Sequence, residues 1–307
     1  MQTPDLLELI NGGPDANTQT DADAYIELLR TDLSSVATDP PERLVHAALR
    51  AGSQATAGIA GHQAAVRRLF PTTAADAITA FCVSEDRGPH PRYIKTALSA
   101  DGEHITGSKM WGTMAPPAST LYVAASTGLD AKGNNQLAMV AIDSPQERIR
   151  QIPLPPERQA GSIPICDLEF DAVPVAQVFP GDAYNNYIKP FRLIEDVFST
   201  LATQICLYRL GAATGLDHTQ REDLLALIVQ GYVVAQTHLN TSTEVLLMTS
   251  YLRSSQAHWG VLAARWHQAD PVLYRDWQPG RMILTVAARA REQRRSNAWA
   301  DLEASGT

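Results

Sequence analysis

The chain has 307 residues, 45% of them hydrophobic and 19% charged, enough for one large or two to three small folded units with a substantial core. Its formal charge of −8 leaves no basic excess to displace counterions from a phosphate backbone, which argues against nucleic acid as a partner. No run of about 18 apolar residues occurs, and "MQTPDLLELINGGPDANTQT" has no basic leader region, so no membrane partner is expected and the chain reads as cytoplasmic.

From Asp21 to Phe70, Tyr25, Ile26, Leu29, Leu33 and Val36 recur at helical spacing, and "DPPERLVHAAL" puts Pro41 where a first helical turn tolerates it. "FPTTAAD" ends that run. From Ile78 to about Val178 the pattern changes to short β-compatible runs: "ITAFCVS", "YIKTALS", "EHITG", "STLYVAAS", "QLAMVAID" and "CDLEFDAVPV". Asp101-Gly102 is a short hairpin signal, "GLDAKGNNQ" reads as a looser hairpin loop, and the block is expected to be antiparallel. After "VFPGDAYNN" helical spacing returns in Ile194, Val197, Phe198, Leu201, Ile205 and Tyr208. A second helix is expected from near Asp217, with further helices around Val245 to Leu252, Val261 to His267 and Arg281 to Ala300. The expected class is α+β, in three parts: an N-terminal helical domain (1–75), a central antiparallel β-barrel or sandwich domain (76–182) and a C-terminal helical bundle (183–307).

Cys82, Cys166 and Cys206 are odd in number and widely spaced, which suggests neither a disulfide framework nor a zinc site, so they read as buried thiols. The eight histidines show no metal-ligand spacing and no metal is expected. No Gly-x-Gly-x-x-Gly follows a strand and no Gly-x-Ser-x-Gly occurs. "RAREQRR", with Arg289, Arg291, Arg294 and Arg295, reads either as a solvated helix end or as a phosphate-binding run.

Within the β block, "AFCVSED" with "IKT" beginning nine residues after Glu85, "ITGSKMWGT" and "DLEFDAVPV" resemble segments of the flavin-dependent acyl-CoA dehydrogenase family, as does the order helices, sheet, helices. The resemblance covers about Ile78 to Val175 and marks the chain as a shortened, divergent relative. It implies FAD as cofactor, with Trp111 packing beside the isoalloxazine, Thr113 hydrogen-bonding its reactive edge, and Ser84 and the neighbouring Cys82 in the flavin-binding segment. It further implies an acyl-CoA substrate oxidised to the enoyl-CoA, a homo-oligomer (dimer or tetramer), and an electron acceptor such as an electron-transfer flavoprotein.

Several departures set against it keep other readings open. "DRGPHP" stands where the family has Pro-x-Ala-Gly-Ser-Asp, leaving only Gly88 of the loop that helps hold the substrate. The family's flavin-pyrophosphate pattern is reduced to Arg221, Leu224 and Gln230, both termini are short, and the Tyr-Glu-Gly segment of the usual catalytic glutamate is absent. Some family members place the base on the first helix after the sheet. Here "RLIEDVF" puts Asp196 at that position and Glu195 one residue earlier, and a desolvated carboxylate there could take the proton next to a thioester carbonyl. The competing bland reading of Asp196 is a solvated carboxylate near a helix start. The alternatives for the whole chain are a catalytically degenerate subunit, pairing with an intact acyl-CoA dehydrogenase in a hetero-oligomer, and a flavin monooxygenase on the same fold.

Overall fold

A computed structural model describes residues 1–12, 18–31, 39–159, 161–211, 213–272, 274–275, 277 and 288–306. Leu33, Val36 and the segment 281–287, on which parts of the helix expectations rest, lie outside the described residues. The class is α+β, with helices at both ends of the chain and strands between them. Two compact units emerge, and their boundaries fall inside helices. One comprises the described parts of Met1–Tyr25, Ser35–Ala65 and Leu193–Thr307; the other is built on Val66–Arg192 and includes the short piece that begins at Ile26. None of the described helices is long and apolar enough to cross a membrane.

The helices are α1 (Thr3–Asn11), α2 (Ala22–Thr31), α3 (Pro40–Ala48), α4 (Gln54–Leu69), α5 (Lys189–Leu210), α6 (His218–Gln236), α7 (Ser242–Ala269) and α8 (Ala288–Ala304). Their starts follow from local chemistry. Asp39 caps α3 by accepting from the Glu42 N–H, with proline in the first turn, and Asp217 with Gln220 and Thr241 with Glu244 form reciprocal capping boxes for α6 and α7. The expected stripe of α5 is buried at Ile194, Val197, Phe198, Leu201 and Ile205, while Tyr208 stays half-exposed. A glycine lets α4 and α5 approach closely: a Cβ added at Gly61 would lie 2.5 Å from the Ser199 Cα. Between α5 and α7 the buried polar groups satisfy each other, Tyr251 donating to Gln204 Oε1 at 2.6 Å and Gln204 Nε2 to Ser255 Oγ at 2.9 Å.

The other unit carries β1 (Thr79–Cys82), β2 (Ala97–Leu98), β3 (His104–Thr113), β4 (Thr120–Leu129), β5 (Asn135–Asp143), β6 (Ile149–Pro153), β7 (Ile165–Pro174) and β8 (Gln177–Phe179). They form one eight-stranded sheet in the order β6-β7-β3-β2-β4-β5-β8, with β1 also on β4. Most pairs are antiparallel, but β1 and β2 both pair with β4 in parallel, which corrects the expectation of a wholly antiparallel block. The cause is that β3 turns away from β4 to pair with β7, leaving that edge of β4 to β1 and β2. β4 and β5 each carry an unbroken buried run, residues 121–125 and 137–142, so their sequence shows an apolar stretch rather than the alternation from which pairing is read.

Strands from both ends of the order meet in one cluster: Leu121, Val123, Val140 and Ile142 pack with Ile105, Leu168 and Phe170. The sheet therefore folds over on itself into a sandwich, each such fully buried side chain contributing about 1.5–3 kcal/mol. The opposite face of β4 is covered by aromatic rings, with Phe70 stacked on Tyr122 at 3.7 Å and flanked by Phe179 and Tyr187. The three cysteines are free and buried.

Candidate functional site

Two of the sequence segments carrying the resemblance lie side by side. The Met110 N–H donates to the Ser84 carbonyl at 2.8 Å, joining the end of "AFCVSED" to the middle of "ITGSKMWGT". Beneath that join, Lys109 is fully buried, its Nζ 2.7 Å from Glu85 Oε1 and 3.3 Å from the Val83 carbonyl. Glu85 also accepts from Lys95 N at 2.7 Å and Thr96 N at 3.0 Å, and the Thr96 hydroxyl lies 2.8 Å from it. Burial alone would raise the Glu85 pKa, but the Lys109 charge and these hydrogen bonds outweigh it and hold the carboxyl below its ordinary value. Burial lowers the Lys109 pKa, against the pull of Glu85. Both residues stand in the quoted segments, yet their partnership crosses 24 positions and no local pattern announces it.

Past Lys109, β3 breaks register with β7 before Gly112, and Trp111 occupies the break. Its φ of 60° is left-handed, a conformation that costs a bulky residue about 1–3 kcal/mol and points to function where it persists. Asp167 on β7 holds it there: Oδ1 accepts from the Trp111 N–H at 3.0 Å, and the same carboxylate grips Arg158 through both oxygens at 3.1 and 3.3 Å. The Arg158 guanidinium in turn lies over the indole, 4.4 Å from the ring centroid. Despite these contacts Trp111 is 45% exposed, so the ring is displayed rather than stored in the core. Ser84 and Thr113 are half-buried, and their hydroxyls make no hydrogen bond to another described residue. The sequence nominates Trp111, Thr113 and Ser84, while the contacts of Asp167 and Arg158 with Trp111 carry no local signal in it.

The remaining candidates divide. Cys82 is corrected from cofactor contact to core: its thiol is 1% exposed within the sandwich cluster, and burial pushes its pKa up to about 12. Gly88 closes a tight turn with φ +95°, its N–H donating to the Glu85 carbonyl at 2.8 Å. Arg221 sits over the Tyr208 ring at 5.0 Å, with its Nε buried and unsatisfied among the described residues; Gln230 is half-buried on the same helix.

Asp196 is not a solvated carboxylate. Its side chain is 12% exposed and meets Arg291 of α8 through both oxygens at 3.0 and 3.2 Å, with Arg294 at 3.8 Å. Burial raises its pKa above the ordinary value, with the two arginines pulling the other way. Half of the arginine run is thus turned inward onto Asp196, while Arg295 pairs with Glu292 and Arg289 is exposed. Glu195 is engaged as well, with Oε1 2.9 Å from His62 Nδ1.

The fit to a cofactor rests on the donor set. A displayed indole, with the Thr113 hydroxyl two residues on and the Ser84 hydroxyl on the adjoining segment, suits the apolar face and the carbonyl-rich edge of a flavin. No family model and no curated protein matches the sequence. Solved structures do match. Butyryl-CoA dehydrogenase from Megasphaera elsdenii is similar over 98% of this chain and 99% of its own, at 11% identity and a TM-score of 0.69. A glutaryl-coenzyme A dehydrogenase in complex with glutaryl-CoA is similar over 84% and 79%, at 14% identity and 0.55. KijD3, in complex with FMN and a dTDP-linked amino sugar, is similar over 91% and 86%, at 15% identity and 0.56. The chain has the acyl-CoA dehydrogenase fold.

Proposed function

We propose that this chain is an FAD-dependent oxidoreductase that removes hydrogen from the α and β carbons of an acyl-CoA thioester to give the enoyl-CoA. The observation that carries the reading is Trp111, strained, displayed and clamped beside unused hydroxyl donors. When bound, the flavin supplies the hydride-accepting chemistry. The chain supplies the rest: Trp111 gives a flat apolar wall, Ser84 and Thr113 donate hydrogen bonds, and Arg158 with Asp167 fix the ring. Arg221 and Gln230 are proposed to reach flavin phosphate across a homo-oligomer, and an electron-transfer flavoprotein is the proposed acceptor. Gly88 is proposed to leave room for substrate, since nothing lies within 4 Å of where its Cβ would be.

In this reading Asp196 accepts the α-proton, a role its raised pKa suits. A second reading is favoured by one observation: both Asp196 oxygens are already held by Arg291, which leaves a base little freedom, and a subunit that binds flavin without dehydrogenating would look the same. The deciding experiment is the absorbance spectrum after purification with FAD, followed by α-hydrogen exchange in heavy water with acyl-CoAs of several lengths. A bound flavin with exchange supports dehydrogenation. A bound flavin without exchange supports the second reading, and no flavin at all removes both.

The Asp196→Asn variant separates base from scaffold. Loss of charge-assisted hydrogen bonds to Arg291 should cost about 1.5–3 kcal/mol in chemical denaturation. If Asp196 is the base, exchange should also fall by about 10²–10⁴-fold while flavin content holds, and Glu195→Gln should retain exchange. Exchange that persists in Asp196→Asn and vanishes in Glu195→Gln moves the base to Glu195.

A further inference from the structure

The segment "DRGPHPRYIK", 86–95, concentrates Arg87, His90, Arg92 and Lys95 against a single acid, Asp86, in a chain whose net charge is −8. Its structure is more specific than its composition. The Arg87 and Arg92 guanidiniums both lie over the ring of Tyr93, 4.4 and 4.6 Å from its centroid, and Arg92 also donates to the Tyr93 hydroxyl. Both arginines are exposed, and neither has a carboxylate partner among the described residues. Two like charges gathered on one ring repel each other, and no carboxylate among the described residues pairs with either.

The loop that carries them is held at several points. Glu85 accepts from Lys95 N and Thr96 N at its end, and exchanges backbone hydrogen bonds with Gly88 near its start. Asn135 on β5 donates to the carbonyls of Pro91 and Ile94, at 3.0 and 2.8 Å. The His90 ring accepts from Arg92 N, and the His90 carbonyl from Tyr93 N. The cations are therefore presented by a tied-down loop, which lowers the ordering cost of binding. The edge donors of Arg87, and those of Arg92 not given to the Tyr93 hydroxyl, match the paired oxygens of a phosphate.

We propose that Arg87, Arg92 and Tyr93 form an anion site that takes a diphosphate group of a small-molecule ligand, one phosphate to each guanidinium. The site lies on the loop that the proposed function gives to substrate through Gly88 and rests on that placement, but it uses neither Trp111 nor the candidate bases, so its failure and that of the flavin reading are separable. The test is calorimetric titration of the protein, as purified, with inorganic pyrophosphate at fixed ionic strength, with sulfate as the comparison ion. Saturable binding of pyrophosphate, at least tenfold tighter than sulfate, is expected. Arg87→Gln and Arg92→Gln should each weaken it about tenfold and the double variant should abolish it, while Lys132→Gln and Arg148→Gln leave it unchanged. Coenzyme A binding more tightly than pyrophosphate, with the same loss in the double variant, identifies a coenzyme A carrier as the source of the diphosphate. Deoxythymidine diphosphate preferred over coenzyme A identifies a nucleotide carrier. Absence of saturable binding, or equal affinity in the double variant, overturns the proposal, and either result leaves the flavin spectrum to be read on its own.

Discussion

Replacing Lys109 by methionine should destabilise the protein by about 3–5 kcal/mol, a large share of the stability of any domain. The size follows from what is left behind. Lys109 is 0% exposed and Glu85 6%, so the variant would bury a carboxylate that has lost its charged partner among the described residues. The backbone donors of Lys95 and Thr96 remain, which places the effect within that range and not beyond it. Its pH dependence gives an independent check. In the wild type the Glu85 pKa is held below its ordinary 4.5, so its contribution is fully present above that pH and is lost as pH falls through the depressed value. Without Lys109, burial dominates and the carboxyl protonates at higher pH. The stability gap between wild type and Lys109→Met should therefore narrow on acidification, starting above 4.5 at the variant's raised carboxyl pKa and ending at the wild type's depressed one. Adding Glu85→Gln should recover part of the loss. A gap that is constant with pH, or a double variant no more stable than the single, would show that the pair does not hold this corner of the sheet.

The same pair marks the limit of what the sequence discloses. Where a feature is local, the residues announce it: Asp217 as a cap, the change from helical to extended spacing near Ile78, and the turn at Asp101-Gly102, where Gly102 takes φ +78°. The two helices expected at Val245 to Leu252 and Val261 to His267 are one, α7, because the polar stretch between them lacks an apolar stripe but contains no breaker strong enough to stop a helix. Short edge strands such as β6 and β8 carry too little pattern to be seen. What joins distant residues is invisible in principle to a periodicity argument. Asp196 and Arg291 are 95 positions apart, and the Asp167 that holds Trp111 is 56 away from it. For the candidate site, the sequence nominates Trp111, Ser84 and Thr113, while the clamp on the ring and the arginines that occupy Asp196 come only from geometry.

Trp111→Gly should leave stability within about 1 kcal/mol of wild type while weakening FAD binding about 100-fold. Two terms nearly cancel in the first quantity. Losing a ring that is 45% exposed forfeits only part of the about 1.5–3 kcal/mol that complete burial would give, including its contact with Arg158. Against that, glycine accepts φ 60° without the steric cost of about 1–2 kcal/mol that an L side chain carries there, though its added chain entropy takes back about 0.5–1 kcal/mol. No such compensation exists for the cofactor. A flavin that stacks on the indole loses that ring's apolar area and its stacking preference, together about 2.7 kcal/mol, which is two factors of ten in affinity. Alanine gives the internal control: it removes the ring but keeps a Cβ in the left-handed region, so Trp111→Ala should be about 1 kcal/mol less stable than Trp111→Gly while binding flavin equally poorly. Denaturation midpoints and flavin absorbance of the three proteins separate the two roles of the residue. Should the glycine variant retain full flavin occupancy, the ring is not a cofactor wall; should it unfold while alanine does not, the strain at Trp111 is not what holds the indole on display.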